Sequence, residues 1–457
     1  MAKRQMKLGM FMRAPGHHIA AWRLPEAPRA AGSSLAHNVE VAQLAERGLF
    51  DMVFWADTAG VWAGDKDELS RLCRVAWIEP FTLLAAFAAV TKHIGLVCTQ
   101  STTYDEPFHI ARRFASLDAM SGGRAGWNLV TSAQAAEALN FSREAHMDKS
   151  DRYRRAREFA HVVLGLWRSW DDDAFVEDKA EGLFFEPSKL HELNHVGEFF
   201  KVRGPLNVPR SPQGHPVMVQ AGASDDGRNL AAETAEVIFA ATPTIELGRA
   251  FYKDVKSRVA QFGRHPDHVK IMPGVLAFVG RTDAEARAKH DRLQSLIHPQ
   301  VGVRQLSNYI AYDLSKFPVD GPLPPIPKTA VSNSRVDLLV EMARRDNLTI
   351  RQLYEKIAGG RGHFTLIGSP QSVADTLQEW FETGAADGFN YLPPTAPGSL
   401  QDFIDLVIPE LQKRGLFRTA YEGTTLRENL GLPIPPDNSS RTTSSGTEVR
   451  AAGFTST

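Results

Sequence analysis

Eight short apolar runs, each trailed by an amphipathic segment, constrain this chain more than any other feature. They are MKLGMFM (6–12), FDMVFWAD (50–57), IGLVCTQSTT (94–103), RAGWNLVTS (124–132), PVMVQAG (216–222), AEVIFAA (235–241), IMPGVLAFVG (271–280) and ADGFNYLPP (386–394). Such runs predict strands buried on both faces, which requires a parallel sheet covered by helices. The segments between them read as those helices. The stretch 33–48 opens on serines and stops at Gly48, 79–93 and 106–123 carry Pro near the front, and 150–170 and 400–415 are longer periodic stretches. Eight strand–helix pairs in order predict an α/β fold closed as a TIM (β/α)8 barrel rather than an open, doubly wound sheet. The barrel is expected to fill residues 1–436, with insertions at about 171–215 and 297–365, before strands five and eight. Insertions of that length read as lids over a site. The Ser/Thr-rich end, 437–457, is expected to be disordered.

Charge and cysteine usage exclude several classes of function. With 52 basic and 53 acidic residues, no global field draws the chain to nucleic acid or to an anionic membrane. No apolar run reaches the ~18 residues of a membrane span, and the basic N-terminal stretch lacks a signal-like apolar segment. Cys73 and Cys98 are far apart and form neither a disulfide framework nor a zinc motif, so a reducing cytoplasm is the expected home. HELNH (191–195) matches the H-E-x-x-H metalloprotease pattern. It lies in an insertion between Pro187 and Gly197 with no suitable third ligand downstream, so no metal site is expected there.

TIM barrels place their chemistry at the C-terminal ends of the strands. Polar residues cluster at those positions here: Asp57 after strand two, Thr99 and Ser101 on strand three, Asn128 within strand four, and Ser224 after strand five. Each alone reads more readily as a helix cap or a satisfied core group; together they outline one rim. Ser224 and Gly227 open a helix whose free N–H groups and dipole favour an anion, although Asp225 and Asp226 would repel a phosphate if they faced it. The segment HMDKSDRYRRAREF (146–159) reads either as a solvated helix face or as a tyrosine with positive charge offered to a phosphate.

Several long motifs carry a likeness to a known family. They are SGGRAGWNLVTS (121–132), STTYDEPFHIARRFASLD (101–118), KSDRYRRAREF (149–159), VRGPLNVPRSPQGHPVMVQAG (202–222), AADGFNYLPP (385–394) and FRTAYEGTTLRENLGL (417–432). Through these the chain resembles the flavin-dependent, bacterial luciferase-like monooxygenases. Within them it looks most like the family of the nitrilotriacetate monooxygenase oxygenase component, whose relatives include EDTA and dibenzothiophene-sulfone monooxygenases. The resemblance implies a barrel that binds FMN as FMNH2 delivered by a separate NAD(P)H:FMN oxidoreductase and uses O2 as co-substrate. Its substrate would be an aminopolycarboxylate cleaved at C–N or an organosulfur compound cleaved at C–S, and the protein would be a homodimer.

By the same resemblance, Asp57 lies near the flavin, Thr99 with Ser101 lies under the ring, and Asn128 bonds the ring or the ribityl chain. Tyr153 and Ser224 would hold the phosphate. His146 matches an upstream family histidine. Lys149 stands where the family has a histidine, and a lysine pairs with phosphate but does not shuttle protons near neutrality unless strongly shifted. Two alternatives accompany this reading: an F420-dependent hydride-transfer enzyme on the same barrel, and a catalytically silent flavin-binding protein.

Overall fold

The computed structural model describes residues 4–61, 66–132, 134–310, 312–326, 334–358 and 363–438. Apart from its first two residues, the segment 437–457 read as disordered lies outside the described residues. All eight expected strands form: β1 Lys7–Phe11, β2 Met52–Trp55, β3 Gly95–Ser101, β4 Ala125–Val130, β5 Val217–Gln220, β6 Val237–Ala240, β7 Lys270–Val279 and β8 Gly388–Tyr391. Each pairs in parallel with its sequence neighbours, and β8 returns to β1, so the sheet closes into a barrel.

Alternation along the strands separates two apolar layers. Phe11, Phe54, Val97, Val217, Val219 and Met272 fill the barrel interior. Met10, Val53, Cys98, Trp127 and Met218 face the surrounding helices. Asn128 pairs in register with Thr99 and Val219, which sets its side chain on the interior side. Arg124, at the base of the same strand, is 2% exposed and donates to Ile94 O at 2.8 Å and Thr91 O at 3.0 Å. Its cation thereby closes the C-terminal end of the helix Pro80–Val90.

The two insertions behave differently. Residues 171–215 pack on the outside of the barrel and contribute to none of the cavities described below, so the reading of this segment as a lid is corrected. Glu158 on the helix Lys149–Leu166 accepts from Phe199 N and Phe200 N at 2.9 Å, and Gln213 donates to Asp118 Oδ1 at 2.7 Å and Ala125 O at 2.9 Å. The segment is thus fastened to an outer helix and to the barrel base. The helices Pro299–Ile310 and Ile350–Ala358 of the second insertion instead share a core with Ile19 and Ala20 from the loop after β1, which places them beside the barrel mouth. A strand not expected from the sequence, Phe364–Gly368, follows this insertion and pairs with the outer half of β7, from Val275 to Val279.

The opposite mouth is sealed by the end of the described chain. A capping box at Thr425 and Glu428 starts the helix Leu426–Leu430. Leu426, Leu430 and Leu432 join the barrel interior. Gly95 is required beneath the plug: a Cβ there would meet Leu426 Cδ1 at 2.4 Å. Arg427 is fully buried, and its Nη2 donates to Glu236 Oε2 at 3.0 Å. Among the described residues no helix is long and apolar enough to cross a membrane.

Candidate active site at the barrel mouth

A cavity of about 380 Å³ opens at the C-terminal ends of β1, β2, β4 and β5. Phe11 and Ala56 lie on one side of it, Asp57, Thr58, Ser132 and Glu137 on another, and Tyr153, Gly222 and Gly227 at the far end. A smaller space of about 90 Å³ shares Asp57, Thr58, Ser132 and Glu137 and adds Thr99, Ser101 and Tyr104. The two form one cleft. Edge-to-face packing of Phe11 on Phe54 (5.0 Å) and on Phe239 (5.4 Å) gives the barrel mouth a stiff aromatic layer.

The far end has the character of an anion cradle. Ser224 caps the helix Asp225–Thr234, its Oγ accepting from Gly227 N at 3.3 Å and lying 3.1 Å from Tyr153 Oη. Gly222 and Gly227 approach closely: a Cβ on Gly222 would fall 2.9 Å from Gly227 Cα, and one on Gly227 would fall 3.1 Å from Tyr153 Oη. The two glycines thus let the turn after β5 pack directly on the first turn of the helix Asp225–Thr234, a helix start of the kind that favours an anion. The acids that threatened to repel an anion each face a cation. Asp225 Oδ1 accepts from Arg258 Nη2 at 2.7 Å, and Lys149 Nζ stands 3.7 Å from Asp226 Oδ2 and 5.9 Å from the Tyr153 ring centroid.

The other end is a network of hydroxyls and carboxyls. Asp57 Oδ1 accepts from Trp77 Nε1 at 2.8 Å. Burial pushes the Asp57 carboxyl up to about 6; Trp77 opposes this, and Glu79 and Glu137 add to it. Glu137, 3% exposed, accepts from Thr58 Oγ1 at 2.8 Å and Ser132 Oγ at 3.0 Å, while Ser132 Oγ lies 2.9 Å from Ser101 Oγ. Asn128 sits one layer below the wall. Its Nδ2 donates to Thr99 Oγ1 at 2.6 Å, holding that hydroxyl on the cleft, and its buried Oδ1 has no partner among the described residues. His146 is off the wall as well: its Nδ1 meets Tyr104 Oη at 2.5 Å, and burial, then Arg152, holds its imidazole below the ordinary range.

Of the eight sequence candidates, the structure brings Asp57, Thr99, Ser101 and Tyr153 onto the cleft. Ser224 and Asn128 stand behind them, and His146 and Lys149 lie at the periphery. Sequence reasoning missed Thr58, Ser132 and Glu137. The available signal was a single acid in the otherwise small and apolar stretch TSAQAAEAL (131–139). The HELNH histidines diverge, because the segment is irregular and not helical, with Asn194 in the left-handed region (φ 49°). His191 Nε2 meets Asp171 Oδ2 at 3.0 Å and His195 Nε2 meets Glu158 Oε1 at 2.9 Å.

Comparisons with known proteins follow the same lines. Residues 15–387 match the family described as luciferase-like monooxygenase. The N-acetyl-S-(2-succino)cysteine monooxygenase of Bacillus subtilis (strain 168) is 52% identical over 436 residues, covering 95% of this chain and 98% of the relative. The nitrilotriacetate monooxygenase component A of Aminobacter aminovorans is 48% identical over 446 residues, covering 96% and 98%. A riboflavin lyase solved with modified FMN and riboflavin superposes with a TM-score of 0.81 at 32% identity, covering 94% of this chain and 97% of the other.

Proposed function

The chain belongs to the luciferase-like monooxygenase family, and from that premise we propose that it is the oxygenase of a two-component system. It receives FMNH2 from a separate NAD(P)H:FMN oxidoreductase and uses O2 to oxidise a carbon next to nitrogen or sulfur in a small substrate. The observation that carries this reading is one cleft with an anion cradle at one end and a hydrogen-bonding wall at the other.

The residues present fit a flavin. Tyr153 Oη, Ser224 Oγ and the N–H groups behind Gly222 and Gly227 suit its phosphate, with Lys149 adding positive charge nearby. Asp57, Thr99 and Ser101 suit its ring, and the unpartnered Asn128 Oδ1 is an acceptor in reserve beneath them. His146 acts at one remove, fixing the Tyr104 hydroxyl that faces the cleft. Bound reduced flavin supplies the electrons that let one atom of O2 enter the substrate.

The chain's own task is to orient both partners and exclude water. The aromatic layer of Phe11, Phe54 and Phe239 and the helices of the second insertion beside the mouth serve that end. A carbon hydroxylated next to nitrogen or sulfur collapses to a carbonyl with loss of the heteroatom, which gives C–N or C–S cleavage without a further catalyst.

The proposal includes a homodimer. What supports it is the helix Pro80–Val90, in which Thr82 is the single polar residue, although only Pro80, Leu83, Leu84 and Phe87 are buried.

A single-turnover experiment tests the reading: FMNH2-loaded protein is mixed with 18O2 and a panel of thioether and amine carboxylates. Cleaved product carrying one labelled oxygen is expected. Turnover only with reduced F420 and without O2 would replace the reading with hydride transfer. Tight FMN binding with no product across the panel would leave a silent binding protein.

A further inference from the structure

The wall shared by the two halves of the cleft has a hydrogen-bond polarity that follows from one residue. Thr58, Ser132 and Glu137 line both the cavity of about 380 Å³ and the space of about 90 Å³. They come from three separate places: the loop after β2, the loop after β4 and the 3-10 segment Ala135–Phe141. Glu137 is 3% exposed, and as a carboxylate it has acceptors only. Thr58 Oγ1 gives its proton to Glu137 Oε1 at 2.8 Å, and Ser132 Oγ gives its proton to Oε2 at 3.0 Å. With the Ser132 proton committed, the 2.9 Å contact between Ser132 Oγ and Ser101 Oγ must carry the Ser101 proton. Ser101 Oγ in turn accepts from Thr103 N at 3.1 Å. Every hydroxyl in this chain thus points its hydrogen toward Glu137, and what Thr58, Ser132 and Glu137 have left for the cleft is lone pairs.

The arrangement is held against a cost. Ser132 is a non-glycine residue in the left-handed region, at φ 53°, which a folded chain keeps only where its surroundings impose it. The 3-10 segment is pinned to the loop after β2 by Asn140 Nδ2, which donates to Ala59 O at 2.8 Å. Gly60 permits that approach, because a Cβ there would fall 3.2 Å from the same nitrogen. Packing therefore gathers three elements around a buried carboxylate whose side-chain hydrogen bonds organise the surface of the cleft.

We propose that Glu137 is a positioning residue that makes this wall an acceptor-only surface, and that the wall takes the N5 edge of a bound flavin and distinguishes its oxidation states. This rests on the flavin reading above. Two-electron reduction puts a hydrogen on N5 of the isoalloxazine ring, turning an acceptor into a donor. Against lone pairs the reduced ring gains a hydrogen bond, whereas the oxidised ring sets acceptor against acceptor. The wall therefore holds FMNH2 more firmly than FMN and favours release of the spent cofactor.

The affinity ratio tests this. The full-length parent and its variants are titrated anaerobically with FMN and with photoreduced FMN, and the midpoint potential of the bound flavin is read by dye-linked titration at one fixed pH. In Glu137→Gln the carboxamide can donate to Ser132 Oγ and turn the Ser132 proton toward the ring. The ratio of the FMN to the FMNH2 dissociation constant should fall ~10-fold, the worth of one hydrogen bond, and the midpoint potential should fall by ~30 mV. Affinity for oxidised FMN should hold or rise. Ser132→Gly removes the hydroxyl and suits the positive φ; it should move the potential in the same direction, and it decides the matter if Glu137→Gln fails to fold. A purely structural role would weaken both oxidation states alike. An unchanged ratio in both variants, or a raised potential in either, thus overturns the proposal while the flavin reading stands. Failure of the parent to bind FMN in either state removes the flavin reading and this proposal with it.

Discussion

Asp57→Asn measures what the cleft spends on holding a carboxyl group away from water. Burial raises this group from 3.8 to about 6. The unfolded chain therefore ionises first as pH rises. Between those two values the native state keeps a proton that the unfolded state has lost, so stability falls through this window and the loss is complete above about 6. At 1.36 kcal/mol per pKa unit the burden is ~3 kcal/mol at pH 8 and ~1 kcal/mol at pH 4.5. Asn is nearly isosteric and offers Oδ1 to Trp77 Nε1, so the hydrogen bond now at 2.8 Å is kept. The flavin-free variant should thus be more stable than the parent by up to ~3 kcal/mol at pH 8 and by ~1 kcal/mol at pH 4.5, while losing turnover with FMNH2. Urea unfolding at both pH values reads this directly. An equal gain at the two pH values, or a loss at pH 8, would refute the argument that desolvation dominates this carboxyl.

Three further substitutions probe other parts of the molecule. Ser224→Asp puts a carboxylate where the anion cradle should receive phosphate; FMN affinity should collapse while the circular dichroism spectrum and melting temperature hold, and unchanged affinity would remove the phosphate assignment. Arg427→Met leaves Glu236 buried without its cation and should cost ~3–5 kcal/mol in denaturant unfolding, with Glu236→Gln in the same chain restoring part of it. His191→Ala with His195→Ala should leave metal content and turnover unchanged; loss of stoichiometric zinc by elemental analysis would revive the metalloprotease pattern.

The barrel was legible because each of its strands is short and apolar on both faces, a pattern that a buried parallel sheet demands and little else produces. The strand Phe364–Gly368 escaped notice because it pairs only with the outer half of β7, and GSP at its end (368–370) looks like a turn leading into a helix. Ser224 could be placed from sequence since a cap needs only local order, and the structure shows its Oγ on Gly227 N. Glu137 could not, because a 3-10 segment, Ala135–Phe141, carries it into the cleft and its partners Thr58 and Ser132 come from two different loops. The first insertion misled for a related reason. Length alone distinguishes an insertion from a connector but does not say which end of the barrel it covers, and Gln213 and Ser211 tie this one to Asp118 at the base.

The leucine plug has a consequence for the order in which the molecule is made. Translation delivers β1 to β8 before Leu426, so all the strands leave the ribosome while the floor of the barrel is still wet. Lys7, among the earliest residues, donates to Asn429 O at 2.7 Å, joining the start of the described chain to its end. A nascent chain arrested at residue 417 would own every strand and still expose apolar interior to chaperones and proteases. Completion of the core thus waits for residues 426–432, and the cell's quality control can read a product that stops short of them as an open barrel.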